Sequence, residues 1–243
     1  MPSIPVHNQV SGFSPTSNQP FSYSINLNSN FYFVTIFRMN FYDKYILPKL
    51  THRVCSQNDI TRAREKIVPL AKGRILEVGI GSGLNLPFYD PAKVDRVWGI
   101  DPSIQLNKIA EKKAIQMPFD FEFIGLSGED IPLEKNSIDT VLVTYTLCSI
   151  PNVLKALNDM KRVLKPGGEL IFCEHGRTPD QNINKWQDRI NPAWTKISGG
   201  CNLNRPISNL IKESGFKIVN LDAKYNSPLK VIGFNYRGVA VPG

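Results

Sequence analysis

Cysteine is scarce in this chain of 243 residues, and long apolar runs are missing. The four cysteines, Cys55, Cys148, Cys173 and Cys201, lie far apart and form no CxxC pair. That spacing argues against a zinc site and against a disulfide framework, so we expect no bound metal and a reducing, cytoplasmic compartment. No stretch reaches the roughly 18 apolar residues that a membrane-spanning helix needs.

Acidic residues are in the minority, and the formal net charge is +8. The basic residues are spread along the chain and form no strip interleaved with aromatic residues. A positive balance permits anionic membrane surfaces, nucleic acid or acidic substrates as partners, but it specifies none of them. Because a basic strip is the usual mark of nucleic-acid binding, we expect no nucleic-acid partner. Nothing in the sequence fixes the oligomeric state.

Charge is almost absent from residues 1–38, where Arg38 is the one formally charged side chain and Ser, Asn and Pro are abundant. Such a segment has little to bury, so we predict a disordered extension. One hypothesis is that the natural start is Met39. The alternative places the aromatic-rich segment Phe31–Leu47 on a membrane interface, which would make the protein peripheral to a membrane.

A glycine-rich turn follows a short apolar run within residues 74–83. Gly79, Gly81 and Gly83 remove side chains where the backbone must turn tightly and lie close to a ligand. A dinucleotide-binding turn needs glycine at its sixth position, which is Leu84 in this chain. The spacing therefore predicts a ligand-binding turn but argues against a dinucleotide.

Acidic residues stand at the ends of the first two predicted strands. A carboxylate at Glu77 would repel a pyrophosphate, and it suits a ligand that carries a positive amino group. Asp101 lies 18 residues beyond the glycine turn, at the end of strand 96–100. There it can accept hydrogen bonds from both hydroxyls of a ribose, with Pro102 and Ser103 at the ribose edge.

Apolar runs alternate with amphipathic segments along residues 73–243, which we expect to form the main domain. Strands are predicted at 74–78, 96–100, 119–124, 138–143, 169–173, 216–222 and 230–240, and helices at 58–70, 103–116 and 152–164, with a sharp stop at Lys165–Gly168. Such alternation is typical of a doubly wound parallel sheet. The last two strands are joined by too short a link for a crossover, so they must be antiparallel.

The predicted fold is therefore α/β: a doubly wound, mostly parallel seven-stranded sheet with an antiparallel terminal hairpin. Residues 39–72 precede this sheet, and we expect them to form N-terminal helices that cover the site.

The turn resembles the first motif of class I S-adenosylmethionine-dependent methyltransferases, E/D-x-G-x-G-x-G, which residues 77–83 match at every specified position. Further segments resemble the branch that contains animal membrane-associated thiol S-methyltransferases and bacterial relatives of poorly defined substrate: Thr146–Ser149, Arg162–Gly168, Glu174–His175, Asn191–Trp194 and Gly200–Asn204. The resemblance implies a Rossmann-like methyltransferase fold, S-adenosylmethionine as the cofactor, and methyl transfer to a small or lipophilic acceptor, with a thiol as the leading candidate.

Other functions stay open. Related sequences share the cofactor motifs and methylate quinone precursors or phospholipid head groups. A non-catalytic, cofactor-binding partner subunit would also keep the glycines, Glu77 and Asp101. An oxidoreductase is the third option, although the glycine spacing argues against it. The turns that mark nucleobase methyltransferases are missing at Thr144–Cys148, which argues further against nucleic acid.

The resemblance also assigns further residues to the cofactor. The loop after the third strand, Ser127–Pro132, would cover the adenine, with Gly128 and Glu129 as contacts. The family often carries an aspartate at the first position of this loop, so the serine is a departure. Thr144 and Leu147, after the fourth strand, would lie under the sulfonium and methyl group.

Candidate residues for the acceptor follow the fourth and fifth strands. His175 is the best candidate for a general base because it lies on the carboxyl side of the sheet, where the substrate should sit. A histidine satisfied by backbone groups at a strand end is the competing interpretation. Cys148, Trp194, Cys201 and Asn202 are candidates for the acceptor pocket, although Cys201 is also compatible with an inert buried thiol. No Ser-His-Asp set is evident, so covalent catalysis is not supported.

Overall fold

Seven strands form one sheet in the structure, a computed structural model that describes residues 41–243. The strands are β1 (Gly73–Val78), β2 (Val94–Ile100), β3 (Asp120–Ile124), β4 (Ile138–Thr144), β5 (Leu164–His175), β6 (Phe216–Tyr225) and β7 (Phe234–Pro242). Their order across the sheet is β3-β2-β1-β4-β5-β7-β6. β1 to β5 run parallel, and β7 is antiparallel to both β5 and β6. The predicted α/β fold with an antiparallel terminal hairpin is confirmed.

Helices precede and join these strands. They are α1 (Leu47–Cys55), α2 (Asn58–Ile67), α3 (Ile104–Ala114), α4 (Val153–Val163), α5 (Gln181–Ile197), α6 (Ile207–Glu213) and α7 (Lys230–Gly233). A π-helical turn at Tyr42–Ile46 leads directly into α1. Between residues 41 and 243, no helix combines the length and the apolar character needed to cross a membrane. The predictions for residues 1–38, for a start at Met39 and for residues 31–40 of the aromatic segment lie outside the described residues.

The central strands are buried on both faces, as their short apolar runs predict. Ile75 and Leu76 are neighbours in β1, point to opposite faces of the sheet, and have no exposed surface. Leu76 packs in one core cluster with Met160 of α4, whereas Ile75 packs in a second cluster with Ala110 of α3. Helices therefore cover both faces of the sheet, and the carboxyl ends of the strands are left for a site.

Several predicted strand boundaries differ from the observed ones, and the two largest errors are at the starts of β5 and β7. β5 begins at Leu164 rather than at residue 169, because Leu164 already pairs with Ile138 of β4. Residues 230–233 form the short helix α7, so the last strand begins at Phe234. Neither change alters the order of the strands.

Helix α5 has no counterpart among the predicted elements. Asp180 caps its start, because its Oδ1 accepts hydrogen bonds from the backbone N–H groups of Asn182 at 2.9 Å and Ile183 at 3.2 Å. Pro192 lies inside the helix, where proline usually breaks the hydrogen-bond ladder. Because proline usually interrupts a helix, the sequence does not predict this 17-residue helix, on which Trp194 lies.

Candidate active site

A cavity of about 300 Å³ opens at the carboxyl ends of β1, β2 and β4, in the crevice where doubly wound sheets bind ligands. Seven of the residues predicted to bind the cofactor line it: Glu77, Gly79, Gly81, Asp101, Pro102, Gly128 and Thr144. Four others do not line it: Gly83, Ser103, Glu129 and Leu147. The structure thus gathers most of the predicted cofactor residues around one cavity.

Gly79 opens the turn with a φ of 75°, in the left-handed region that favours glycine. A Cβ atom at this position would lie 2.0 Å from Oγ1 of Thr146. The backbone N–H of Gly79 donates to the carbonyl oxygen of Ile100 at 2.8 Å, which fixes the turn against β2. The close approach to Thr146 therefore requires glycine here.

The carboxylate of Asp101 faces the second glycine of the turn. Its Oδ2 accepts a hydrogen bond from the backbone N–H of Gly81 at 3.0 Å, and its Oδ1 accepts one from the backbone N–H of Ser103 at 2.8 Å. Burial raises the pKa of Asp101, and the two hydrogen bonds oppose that rise. Each carboxylate oxygen can accept a second hydrogen bond, so both keep capacity for a ligand hydroxyl.

The carboxylate of Glu77 is paired within the protein. The side-chain amide of Asn85 donates to its Oε1 at 2.9 Å, and the hydroxyl of Tyr89 donates to its Oε2 at 2.6 Å. Burial raises the pKa of Glu77 to about 7, although both hydrogen bonds and the charge of Arg64 lower it. Glu77 therefore contributes a buried, hydrogen-bonded carboxyl group to the cavity wall.

Arg64 of α2 also lines the cavity, although no sequence pattern predicts it. The residue is only 5% exposed. Its Nε donates to Oδ1 of Asn85 at 2.9 Å, and its Nη1 donates to the carbonyl oxygen of Cys55 at 3.0 Å. The guanidinium carbon lies 5.2 Å from the centre of the Tyr145 ring, a cation–π distance. A guanidinium has five N–H donors, so Arg64 keeps donor capacity at the cavity wall.

Helix α1 supplies further lining residues that the sequence does not single out: Leu47, Thr51, His52 and Cys55. His52 Nδ1 lies 2.7 Å from the hydroxyl oxygen of Ser82, so α1 is tied to the glycine turn. Lys113 of α3 also contacts the turn, because its Nζ donates to the carbonyl oxygen of Ser82 at 2.9 Å. Helices α1 and α3 therefore both hold the turn in place.

The loop after β3 reaches the cavity through Ser127 and Gly128. Glu129 is held within the loop: the hydroxyl of Ser127 donates to its Oε2 at 3.0 Å, and the backbone N–H of Asn152 donates to its Oε1 at 2.5 Å. These bonds tie the loop to the start of α4. The adenine contact predicted for Glu129 stays a prediction.

The predicted base and the predicted acceptor-pocket residues meet beside the cavity. We call this group the Cys–His cluster: Cys148, His175, Trp194, Cys201 and Asn202. His175 Nε2 lies 3.1 Å from Sγ of Cys201, and the indole N–H of Trp194 donates to the same sulfur at 3.5 Å. The side-chain amide of Asn202 donates to the carbonyl oxygen of Cys148 at 3.0 Å. Residues far apart in the sequence therefore form one compact group.

The cavity and the Cys–His cluster are adjacent. None of the five cluster residues lines the cavity, but Ser149, next to Cys148, and Gly199, two residues before Cys201, do. The backbone N–H of Asn202 donates to the carbonyl oxygen of Cys148 at 2.9 Å, which joins the two loops. The roles predicted for the cluster in acceptor binding and base catalysis stay predictions.

Comparison with known proteins agrees with this arrangement. A family model described as a methyltransferase domain matches residues 76–172. The chain is 35% identical over 160 residues to thiol S-methyltransferase TMT1A of Homo sapiens, across 63% of this chain and 64% of that protein. It is 32% identical over 207 residues to thiol S-methyltransferase TMT1B of Homo sapiens, across 81% of this chain and 82% of that protein. The chain belongs to the class I S-adenosylmethionine-dependent methyltransferases.

The match spans less than two thirds of the length of TMT1A and more than four fifths of the length of TMT1B. Among solved structures, a geranyl diphosphate methyltransferase in complex with SAM has a TM-score of 0.62 at 14% identity, covering 75% of this chain and 85% of that one. At that identity the likeness concerns the fold. The predicted family and its cofactor, S-adenosylmethionine, are confirmed.

The methyltransferase cavity fits this cofactor in two respects. The free lone pairs of Asp101 suit the ribose hydroxyls, and the glycine turn presents backbone rather than side chains to a ligand. At Gly81, the atoms nearest to the place where a Cβ would stand are Cδ1 of Leu106 at 3.8 Å and Oδ2 of Asp101 and the carbonyl oxygen of Gly79 at 4.0 Å, outside the chain neighbours.

Beside the Cys–His cluster, Glu174 is fully buried. Its Oε1 accepts hydrogen bonds from the backbone N–H groups of Thr146 at 2.7 Å and Leu147 at 3.0 Å, whereas its Oε2 has no partner within residues 41–243. Burial raises the pKa of Glu174 to about 7. A hydrogen bond with Cys148, together with burial, raises the pKa of Cys201, and the nearby His175 opposes that rise.

Proposed function

We propose that this protein methylates a thiol on a small or lipophilic acceptor, with S-adenosylmethionine as the methyl donor. The observation that carries the proposal is the likeness to thiol S-methyltransferase TMT1B, which extends over 82% of that protein. The cavity at the glycine turn supports the donor half of the proposal, and the residues around it supply the roles described next.

The cofactor is held from its two ends. Asp101 binds the ribose hydroxyls through the lone pairs that Gly81 and Ser103 leave free. Arg64 binds the carboxylate of the amino-acid end, because a guanidinium pairs well with a carboxylate. In its ionised form, the carboxyl group of Glu77 favours the positive amino group of the same end. When bound, S-adenosylmethionine supplies an electrophilic methyl group on a positively charged sulfur.

A thiol suits this site because its pKa of about 8.5 leaves part of it ionised at neutral pH. The protein then has to hold the sulfur in place and exclude water, and it needs no strong base. Tyr145 and Ile150 line the cavity and offer an apolar wall to a lipophilic acceptor. The proposal therefore does not depend on His175 as a general base.

Parallel transfer assays test the acceptor class. The full chain is incubated with methyl-labelled S-adenosylmethionine and, separately, an alkyl thiol, a demethylated quinone precursor and phosphatidylethanolamine. We expect label in the thioether of the first reaction. Label only in the lipid or only in the quinone would overturn the thiol assignment. Cofactor binding by calorimetry with no transfer to any acceptor would favour the partner-subunit alternative.

We also propose that the protein works in the cytoplasm and contacts a membrane peripherally through α1 and the turn before it. Apolar side chains there are about half exposed: Phe41, Tyr45, Ile46, Leu50 and Val54. Lys49 and Arg53 lie on the same helix and add positive charge, which favours an anionic bilayer. Amphipathic segments of this composition bind in the plane of the interface.

Flotation with anionic vesicles tests this contact. The double variant Leu50→Ser, Val54→Ser should float less than the wild type, whereas Val219→Ser should behave like the wild type, because Val219 is exposed on β6 instead. Equal flotation of all three proteins would contradict the assignment of the contact to α1.

A further inference from the structure

The fold brings together three side chains of types that can bind a metal ion, although they lie far apart in the sequence. Cys148 follows β4, His175 ends β5, and Cys201 precedes α6. One ligand atom from each of these residues lies within 4.8 Å of the other two. The cysteine spacing that argues against a zinc site along the sequence therefore says nothing about this site, which is assembled from three separate segments.

We propose that Cys148, His175 and Cys201 bind one divalent metal ion of the zinc class. Two thiolates and one imidazole form a donor set that zinc prefers, with bonds of about 2.0–2.3 Å. Tetrahedral coordination at those lengths separates the ligand atoms by roughly 3.5–3.8 Å. The observed separations, 3.1 Å between His175 and Cys201 and up to 4.8 Å overall, reach those values by side-chain movements of about an ångström.

The surroundings of the three ligands are built to hold them. Asn202 donates to the carbonyl oxygens of Cys148 at 3.0 Å and Gly200 at 2.8 Å, so it joins the two cysteine loops. Asn191 of α5 donates to Oδ1 of Asn202 at 3.1 Å and accepts from the backbone N–H of Leu203 at 2.8 Å. Backbone positions that carry metal ligands need such support, because outer hydrogen bonds orient the ligands.

The polar groups next to the sulfurs also suit metal-bound thiolates. The indole N–H of Trp194 donates to Sγ of Cys201 at 3.5 Å, which stabilises a sulfur that carries negative charge. Arg205 donates to the carbonyl oxygens of Leu147 and Ile150 and brings a positive charge to the loop of Cys148. Two thiolates, a neutral imidazole and a divalent ion are neutral together, so the assembly can be buried at low cost.

Three protein ligands leave one coordination position for another molecule, as in catalytic rather than structural zinc sites. Resting on the proposed function, we infer that the acceptor thiol takes this position. Its S–H bond breaks, the proton goes to solvent water, and the sulfur keeps the electron pair as it binds the metal. Metal binding deprotonates a thiol without a strong base, and it places a thiolate beside the cavity wall formed by Ser149 and Gly199.

Cobalt binding tests the ligand assignment. The full chain, reduced and treated with a chelator, is titrated anaerobically with Co²⁺. We expect one ion per chain and a thiolate-to-cobalt charge-transfer band in the near ultraviolet. Cys148→Ser and Cys201→Ser should each weaken binding more than about tenfold and reduce the band. Cys55→Ser should keep both, because Cys55 lies outside the trio. Calorimetry with S-adenosylmethionine shows whether each variant is folded.

Three results would overturn the metal site. They are no charge-transfer band in the wild type, a band that survives in both cysteine variants while Cys55→Ser abolishes it, and a Cys148–Cys201 disulfide in protein purified without oxidant that contains no metal. If any of these results is obtained while the protein still methylates a thiol, the proposed metal site is wrong and the proposed function stands.

A thiol titration tests the fourth position. Adding an alkyl thiol to the cobalt form should intensify the charge-transfer band, since a third sulfur joins the metal. An unchanged band at thiol concentrations that support methyl transfer would contradict the inferred role of the metal. A perturbed band without any methyl transfer would instead count against the proposed function and leave the site standing.

Discussion

His52 Nδ1 lies 2.7 Å from Oγ of Ser82, which joins the helix before the sheet to the middle of the glycine turn. Ser82 stands between Gly81 and Gly83 and is 4% exposed. Helix α1, which lines the cavity, is thereby attached to the glycine turn, which also lines it. Cofactor affinity should depend on this bond.

The first prediction concerns that contact. His52→Ala removes a hydrogen bond worth about 0.5–1.5 kcal/mol, so cofactor affinity should fall about two- to tenfold. Calorimetric titration with S-adenosylhomocysteine measures the change. Arg53→Ala is the matched control, because Arg53 follows on the same exposed helix and does not line the cavity. Equal affinities for the two variants would contradict a role for the His52–Ser82 contact.

Asp101→Ala should weaken cofactor binding by about 1–3 kcal/mol, since hydrogen bonds to a charged group are lost. The same titration measures this effect. Asp95→Ala serves as the control because Asp95 is exposed at the other end of β2. A cofactor affinity for Asp101→Ala that matches this control would refute the ribose assignment.

Arg64→Lys keeps the positive charge but removes the planar pair of N–H donors. S-adenosylhomocysteine has the carboxylate that Arg64 is proposed to bind, whereas 5′-methylthioadenosine lacks the amino-acid end. The variant should therefore bind the first ligand about tenfold more weakly and the second as the wild type does. Equal losses for the two ligands would mean that Arg64 only supports the fold.

Gly79→Ala should destabilise the protein more than Gly167→Ala. Both glycines have positive φ angles, 75° and 80°, so alanine costs backbone strain of about 1–2 kcal/mol at either position. Only at Gly79 does the new Cβ meet another atom, 2.0 Å from Oγ1 of Thr146, whereas Gly167 has no atom within 4 Å. Overpacking adds about 1–3 kcal/mol, measurable by urea unfolding. Equal costs would argue against the close approach.

Glu77 predicts a pH dependence of stability. Its pKa of about 7 in the folded protein exceeds the ordinary value of 4.5, so folding favours the protonated form. The contribution of Glu77 to the free energy of unfolding is fully present below pH 4.5 and is lost as the pH rises through 7. The loss between pH 5 and pH 8 amounts to about 2–3 kcal/mol. Glu77→Gln, measured without cofactor, should gain that much relative to the wild type over this interval.

Urea unfolding at the two pH values measures this gain. Glu134→Gln, at an exposed loop position, is the control and should show none. A stability difference between Glu77→Gln and the wild type that is the same at pH 5 and pH 8 would contradict the raised pKa.

The sequence predicts those site residues whose position follows from local order. Asp101 and Glu77 are predictable because each ends a strand, and parallel strands end at the same edge of the sheet. Gly79 and Gly81 are predictable because a strand-to-helix turn near a ligand needs positive φ. The mostly parallel sheet is predictable from the alternation of strands and helices, and its antiparallel ending from the short link between the last two strands.

Residues that reach the site from other elements were beyond such reasoning. Arg64 and His52 lie on helices before the sheet, and no spacing rule links a helix position to a turn that it contacts only after folding. Glu129 is a different case: hydrogen bonds from Ser127 and the backbone of Asn152 hold its carboxylate within the loop, and the adenine contact stays a prediction.

The Cys–His cluster lies between these cases. His175 was predictable as the residue that ends β5, and Cys201 was singled out from a resemblance. Their mutual distance of 3.1 Å depends on how the long segment between β5 and α6 folds back, which includes the unpredicted helix α5. Candidate residues could therefore be named, but their assembly into one group required the fold.

Methyl transfer to a thiol is the central claim, and mass spectrometry of the product tests it most directly. The full chain is incubated with an alkyl thiol and S-adenosylmethionine that carries a deuterated methyl group, with Asp101→Ala as the matched control. The account predicts a thioether containing the intact deuterated methyl group, formed more slowly by the variant at limiting cofactor. No deuterated thioether, despite cofactor binding and transfer to another acceptor, would contradict it.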